Sequence, residues 1–235
     1  MKKTVIIIAV AVAAVVAGIL GFTVISDLIQ ENKLEKELDA ISEAVSGENI
    51  DIEAVYGMLD RTVTKNDYAE VEKAYKSYLK DSFDNSIRIA ELLNDERITS
   101  ILTAENYTAD GKDFAETKKY ITETKAELER CKTLYSEFFT EEKAKSYIDG
   151  KDLDKYYIDL YMNEYVGDIG NDGSDDELDA MIAEITETLD RSEDVIDFLI
   201  ENKDSWQISG ESIAFRNDSL TAEYDRLISL IGQEK

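Results

Sequence analysis

The chain contains no His, no Pro and a single Cys. Without His there is no Ser-His-Asp or Cys-His catalysis and no imidazole-ligated metal. One Cys cannot close an internal disulfide or build a multi-thiolate zinc site. Without Pro, nothing forces a break inside a helix, so helices must stop at Gly, Asn, Asp, Ser and Thr. Positive charge is also scarce: 26 Lys+Arg stand against 52 Asp+Glu, a net charge of −26. That balance opposes nucleic-acid binding, which draws its affinity from Lys and Arg on phosphates. No nucleophile elbow, phosphate-cradling glycine loop or dinucleotide fingerprint is present. The chain therefore reads as a non-enzyme without a cofactor. Paired carboxylates are uninformative among so many acids, and a carboxylate-dependent envelope hydrolase stands as the third and lowest of the functional readings.

What is present begins at the N-terminus. Residues 4–25 carry no charge and follow Lys2 and Lys3. As a helix this run is about 33 Å long, enough for a hydrocarbon core of roughly 30 Å. The lysines before it and the acids Asp27 and Glu31 after it predict a cytoplasmic tip at 1–3, a single-pass anchor at 4–25 and an extracytoplasmic remainder. Lys33 and Lys36 on the far side weaken that charge asymmetry. The same run can also be read as a signal peptide, with the remainder secreted after cleavage. Ala9, Ala13, Ala17 and Gly21 recur every four residues, a small-residue stripe of the kind that pairs membrane helices, and so a route to a homodimer.

Beyond the anchor, 26–48 reads as a juxtamembrane helix with Leu34, Leu38, Ile41 and Val45 as one stripe, packing onto the domain that follows. Residues 49–235 read as one elongated helical domain. A short helix over 51–63 precedes a long one capped by Thr64, with Tyr68, Val71, Tyr75, Tyr78, Phe83, Ile87, Ala90 and Leu93 inward. A loop near Asp110-Gly111 leads to a long helix over about 113–139, with Cys131 on its apolar stripe as a small buried hydrophobe. Thr140 caps a short helix. The next, over 152–166, aligns Tyr157, Tyr161 and Tyr165, a row that suits a helical core better than a sugar- or peptide-stacking platform.

An acidic loop at 167–174 breaks the chain before a capping box, Ser174 to Glu177, opens a helix to about residue 202. Read as an EF-hand, Asp168, Asp172, Asp176 and Asp179 supply ligands. The pattern fails at Gly170, at Asp175 and at Asp179, where a bidentate Glu is expected. An acid-capped helix connection accounts for the same residues, so no metal is expected. Alternating apolar residues at 206–208 and 213–215 around Ser209-Gly210-Glu211-Ser212 predict a β-hairpin, followed by a helix with Leu220, Tyr224, Leu227 and Ile231.

The tail, with Ile213-Ala214-Phe215 leading into Tyr224-Asp225-Arg226-Leu227-Ile228, resembles a family of bacterial cell-envelope helical lipoproteins and membrane proteins of unknown activity. The resemblance covers about residues 206–231 and implies an envelope location and an α-helical body. The chain departs from it in lacking a lipid-bearing Cys. The fold expected is all-α: a transmembrane helix, then an extracytoplasmic helical bundle with one small hairpin. The function expected is a binding or interaction module at the membrane, engaging an envelope protein, peptide or glycan. The alternative is a self-associating structural protein.

Overall fold

A computed structural model describes residues 29–46, 50–166 and 176–231. It is mostly helical, with one two-stranded antiparallel sheet near the C-terminus. Among the described residues no helix is long and apolar enough to cross a membrane. The predicted anchor over 4–25 and its stripe of Ala9, Ala13, Ala17 and Gly21 lie outside the described residues. The packing divides the chain into two units, 1–91 with 131–178 and 92–130 with 179–235.

Unit 1 begins with α1 (Ile29–Val45) and α2 (Ile52–Asp60). The expected stripe of α1 is its core face: Leu34, Leu38, Ile41 and Val45 are all buried. Asp51 caps α2 by accepting from the Ala54 amide. α2 stops at Asp60, short of the predicted Val63, because the next residues are drawn to a carboxylate on α3 (Asp67–Leu93). Glu72 accepts from the backbone amides of Val63 and Thr64 and from the Thr64 hydroxyl at 2.6 Å. Thr64 is thus not the cap of α3 that its spacing suggested.

Beside Glu72 sits Lys76, 2% exposed, with its ammonium 2.8 Å from both Glu72 and Glu37 of α1. It also donates to the carbonyls of Met58 and Arg61, and the Arg61 guanidinium grips Glu37 from the other side at 2.6 Å. Burial pushes both carboxylates up, but the bonds from Arg61 and Lys76 to Glu37 outweigh it. Those from Lys76, Thr64 and two backbone amides do the same at Glu72. Both end below the ordinary value. Four charges that sum to zero therefore join α1, the α2–α3 connection and α3: Glu37, Glu72 and Lys76 are buried, and Arg61, 54% exposed, supplies the second positive charge from the surface.

The rest of this core is tyrosine-rich. Tyr75, Tyr78 and Tyr161 are fully buried, and buried phenols need acceptors. Tyr78 donates to the Phe138 carbonyl and Tyr161 to that of Ala144. These acceptors come from the end of α6 (Ala115–Phe138) and from α7 (Glu141–Ser146), which Thr140 caps through the Lys143 amide. α8 (Lys155–Leu160) passes into a π-helical turn, Tyr161–Tyr165. Of the tyrosine row, Tyr161 is core and Tyr157 is half-buried, its ring edge-on to Tyr68 at 5.1 Å. Cys131 is fully buried, as its place on the stripe implies.

Unit 2 contains α4 (Glu96–Ser100), α5 (Ala104–Asp110), α6 up to Arg130 and α9 (Asp176–Glu201) from Asp179 onward. It ends with β1 (Trp206–Ser209), β2 (Ser212–Phe215) and α10 (Asp218–Leu230). α5 was not foreseen; it is short and carries one large core residue, Tyr107. The hairpin register pairs Trp206 with Phe215 and Ile208 with Ile213, which places the four on one face as the alternation predicts. Of these four, Trp206 alone is buried, against Phe114 and Tyr107. Gly210 has φ +66°, the left-handed region that a tight hairpin turn requires of one residue and that glycine enters without steric cost.

Asn217 opens α10 by accepting from the Leu220 amide at 2.9 Å. No residue of α10 is fully buried; its Tyr224 ring packs on Phe215 at 5.3 Å and its hydroxyl lies 3.4 Å from that of Tyr107, while Asn217 fixes where the helix starts. Asn217→Ala is expected to cost about 1 kcal/mol. Urea unfolding of the full chain followed by circular dichroism checks this as a lowered midpoint with unchanged slope.

Candidate functional site

The chemistry of unit 2 concentrates where α4, α5 and α6 meet. The Asp95 side chain caps α4 through the Arg97 amide at 2.9 Å and then turns the Arg97 side chain back on itself. Arg97 Nε and Nη2 both donate to that carboxylate, Nη2 at 2.6 Å. This fork lays the guanidinium over the ring of Tyr120, 4.3 Å from its centre. Hydrogen bonding from Arg97 holds the Asp95 carboxyl below its ordinary value despite burial.

On the other side, Asp110 caps the start of α6 from the end of α5, accepting from the amides of Glu116 and Thr117 at 3.1 and 2.8 Å. Asn106 of α5 donates to the Ile101 carbonyl and to Thr117 Oγ1. These bonds tie the three helices around an open recess of about 380 Å³. Its α6 wall carries Glu116, Lys119, Tyr120 and Glu123, which share one helix face by their spacing.

The recess is polar, and part of its bonding capacity is uncommitted. Lys119 has no ion pair or hydrogen bond among the described residues, whereas Lys118 and Lys125 of the same helix bind acids of α9. The Tyr120 hydroxyl is closed off from water and makes no hydrogen bond of normal length; burial raises its pKa, with Thr124 and Asp95 as polar neighbours. Glu116 and Glu123 are exposed at the rim. The arrangement can accept a polar group through cationic donors while flanking it with acids.

Among the described residues, none of those singled out as candidate cation ligands lines this recess. Asp168 and Asp172 lie outside the described residues, Asp176 is described only as backbone at the start of α9, and Asp179 lies in that helix. Among the described residues, no three acidic or Cys side chains are grouped so as to hold a metal ion. Arg97, Asn106, Lys119 and Tyr120 escaped the sequence reading. The one signal available was the face Glu116–Lys119–Tyr120–Glu123, which places an aromatic among charges on an amphipathic helix.

No family model matches the chain, and neither a curated protein nor a solved structure matches it.

Proposed function

We propose that the chain is a membrane-anchored binding module of the cell envelope, held by residues 4–25 and engaging a polar group of a protein, peptide or glycan at the recess of unit 2. The observation that carries the reading is the recess itself, with Lys119 uncommitted beside an Arg97 already oriented by Asp95. Arg97 is preorganised, which favours binding because little of its side-chain freedom remains to be lost, and Lys119 adds a cation free to adjust. The uncharged run after Lys2-Lys3 supports the anchor, and the resemblance of the tail supports an envelope location.

Glu37 and Glu72 do not suit acid catalysis: Arg61 and Lys76 hold the first below its ordinary value and Lys76 with Thr64 the second, whereas a general acid needs a carboxyl whose pKa is raised.

The test is a photo-crosslinking side chain at position 123, on the rim, in native membranes. A discrete adduct is expected, reduced at least fivefold by Lys119→Glu and absent when the crosslinker sits at exposed position 43 of unit 1. An adduct indifferent to Lys119→Glu would refute the recess as the binding site. Release of the chain by alkaline carbonate would refute the anchor.

A further inference from the structure

The start of α1 lies close to the end of the uncharged run. Only Ser26, Asp27 and Leu28 separate Ile25 from Ile29. Even fully extended, four residue steps cover at most about 15 Å. The headgroup layer on each side of a bilayer is itself roughly 5–8 Å deep. If residues 4–25 span the membrane, α1 begins within or just above that layer.

α1 does not act as a flexible stalk. Its first turn is bound into unit 1, because Glu31, 6% exposed, accepts from the hydroxyls of Tyr68 at 2.6 Å and Tyr156 at 2.7 Å. Leu34 is fully buried and Glu37 is held by Arg61 and Lys76. From residue 31 onward the tether and the body are one object, so whatever surrounds the start of α1 is carried to the membrane surface.

Two large apolar side chains are exposed there: Ile29 at 74% and Tyr156 at 52%. Tyr156 is joined to α1 through Glu31, and the Tyr157 ring lies 5.2 Å behind it. Tyrosine is favoured at membrane interfaces because it combines an apolar ring with a polar tip. The exposed charges nearby are mixed, with Lys33 and Lys155 accompanied by Asp152 and Asp154. The match is therefore to a zwitterionic interface rather than to an anionic one.

We propose that this edge of unit 1, formed by the first turn of α1 and by α8, rests on the lipid headgroups, with Ile29 and Tyr156 inserted at the interface. The proposal rests on the reading of residues 4–25 as a membrane span. It adds that the body is seated on the bilayer through its own side chains rather than hanging from a tether.

The full chain is reconstituted in phosphatidylcholine vesicles with a fluorophore at Lys155→Cys, a side chain 84% exposed, or at Glu43→Cys, about 21 Å along α1 from Ile29. The native Cys131 is buried, and a chain without an introduced Cys gives the labelling background. Phosphatidylcholine spin-labelled near the headgroup is expected to quench position 155 at least threefold more than position 43, with aqueous iodide showing the reverse. Ile29→Ser with Tyr156→Ser should halve the lipid quenching at 155 while the chain still resists carbonate extraction. Equal iodide access at both positions in a carbonate-resistant chain overturns the seating and leaves the anchor standing. Unchanged quenching in the double variant shows that the tether alone sets the position, and overturns the role of the two side chains. Protection of 155 from iodide without lipid quenching indicates a second copy on this edge, and also overturns it. Carbonate release overturns both the seating and the anchor.

Discussion

Replacing Lys76 with Met should destabilise the full chain by about 3–5 kcal/mol, the scale found when one member of a buried ion pair is removed. Glu72 is fully buried and Glu37 nearly so, and among the described residues Lys76 is the one ammonium in contact with both. Met fills a similar volume, so the loss is one of charge rather than of packing. Glu37 retains Arg61, and Glu72 retains the Val63 and Thr64 donors, so neither is left without a partner. What disappears is the positive charge that makes a low-dielectric site acceptable for two anions. Two carbonyls, of Met58 and Arg61, also lose their donor. Urea unfolding at neutral pH checks the value; a loss below about 1 kcal/mol, the scale of an exposed pair, would mean that water reaches the cluster.

The pH dependence separates this electrostatic account from a packing defect. In the native chain both carboxylates are held below their ordinary value of 4.5. Their stabilising contribution is therefore complete above about pH 4.5 and fades as pH falls through the lower folded values. In the Lys76→Met variant the largest opposing effect, burial, acts without the lysine. The carboxyls then take up protons more readily when folded, and acid relieves the defect. The difference between the two proteins should narrow from about pH 7 to about pH 4. A packing defect would leave it constant.

How legible the structure was follows from which forces act locally. The stripe Leu34–Leu38–Ile41–Val45 and the hairpin alternation around Trp206 and Phe215 were readable because one element's period determines which residues share a face. Glu72 and Lys76 were not. At i,i+4 on a helix they look like an exposed surface pair, and only α1 and the α2–α3 connection, distant in sequence, bury them. The same long-range demand took the Thr64 hydroxyl from its expected capping role. α5 was missed because seven residues around a single Tyr107 give no period to detect. The recess escaped for a related reason: Arg97, Asn106 and Lys119 come from three helices, and their convergence depends on the Asp95 and Asp110 caps rather than on any spacing in one stretch.

Trp206→Ala should cost unit 2 about 3–5 kcal/mol, as expected for removing a buried aromatic that its surroundings cannot refill. The indole is 4% exposed, packs against Phe114 at 6.1 Å and Tyr107 at 6.4 Å between centroids, and has the Lys112 ammonium 4.5 Å from its ring centre. It also has a second role, at the end of α9. The last carbonyls of a helix lack intrahelical donors, and the indole N–H donates to one of them, that of Leu199, at 2.8 Å. Lys112 extends the same closure by donating to the Lys203 and Trp206 carbonyls just beyond the helix. Trp206→Phe keeps much of the ring packing and removes only the N–H, so about 1–2 kcal/mol should be lost, the cost of one unsatisfied buried acceptor. Lys112→Met should fall at or below the Phe variant, because its carbonyl partners lie closer to solvent. Trp206 is the only tryptophan, so melting must be followed by helical circular dichroism rather than by fluorescence. If the Ala and Phe variants lose the same amount, the indole acts as a cap alone and Phe114 and Tyr107 form a core without it. A larger loss in the Ala variant identifies the aromatic cluster as the main attachment of the hairpin.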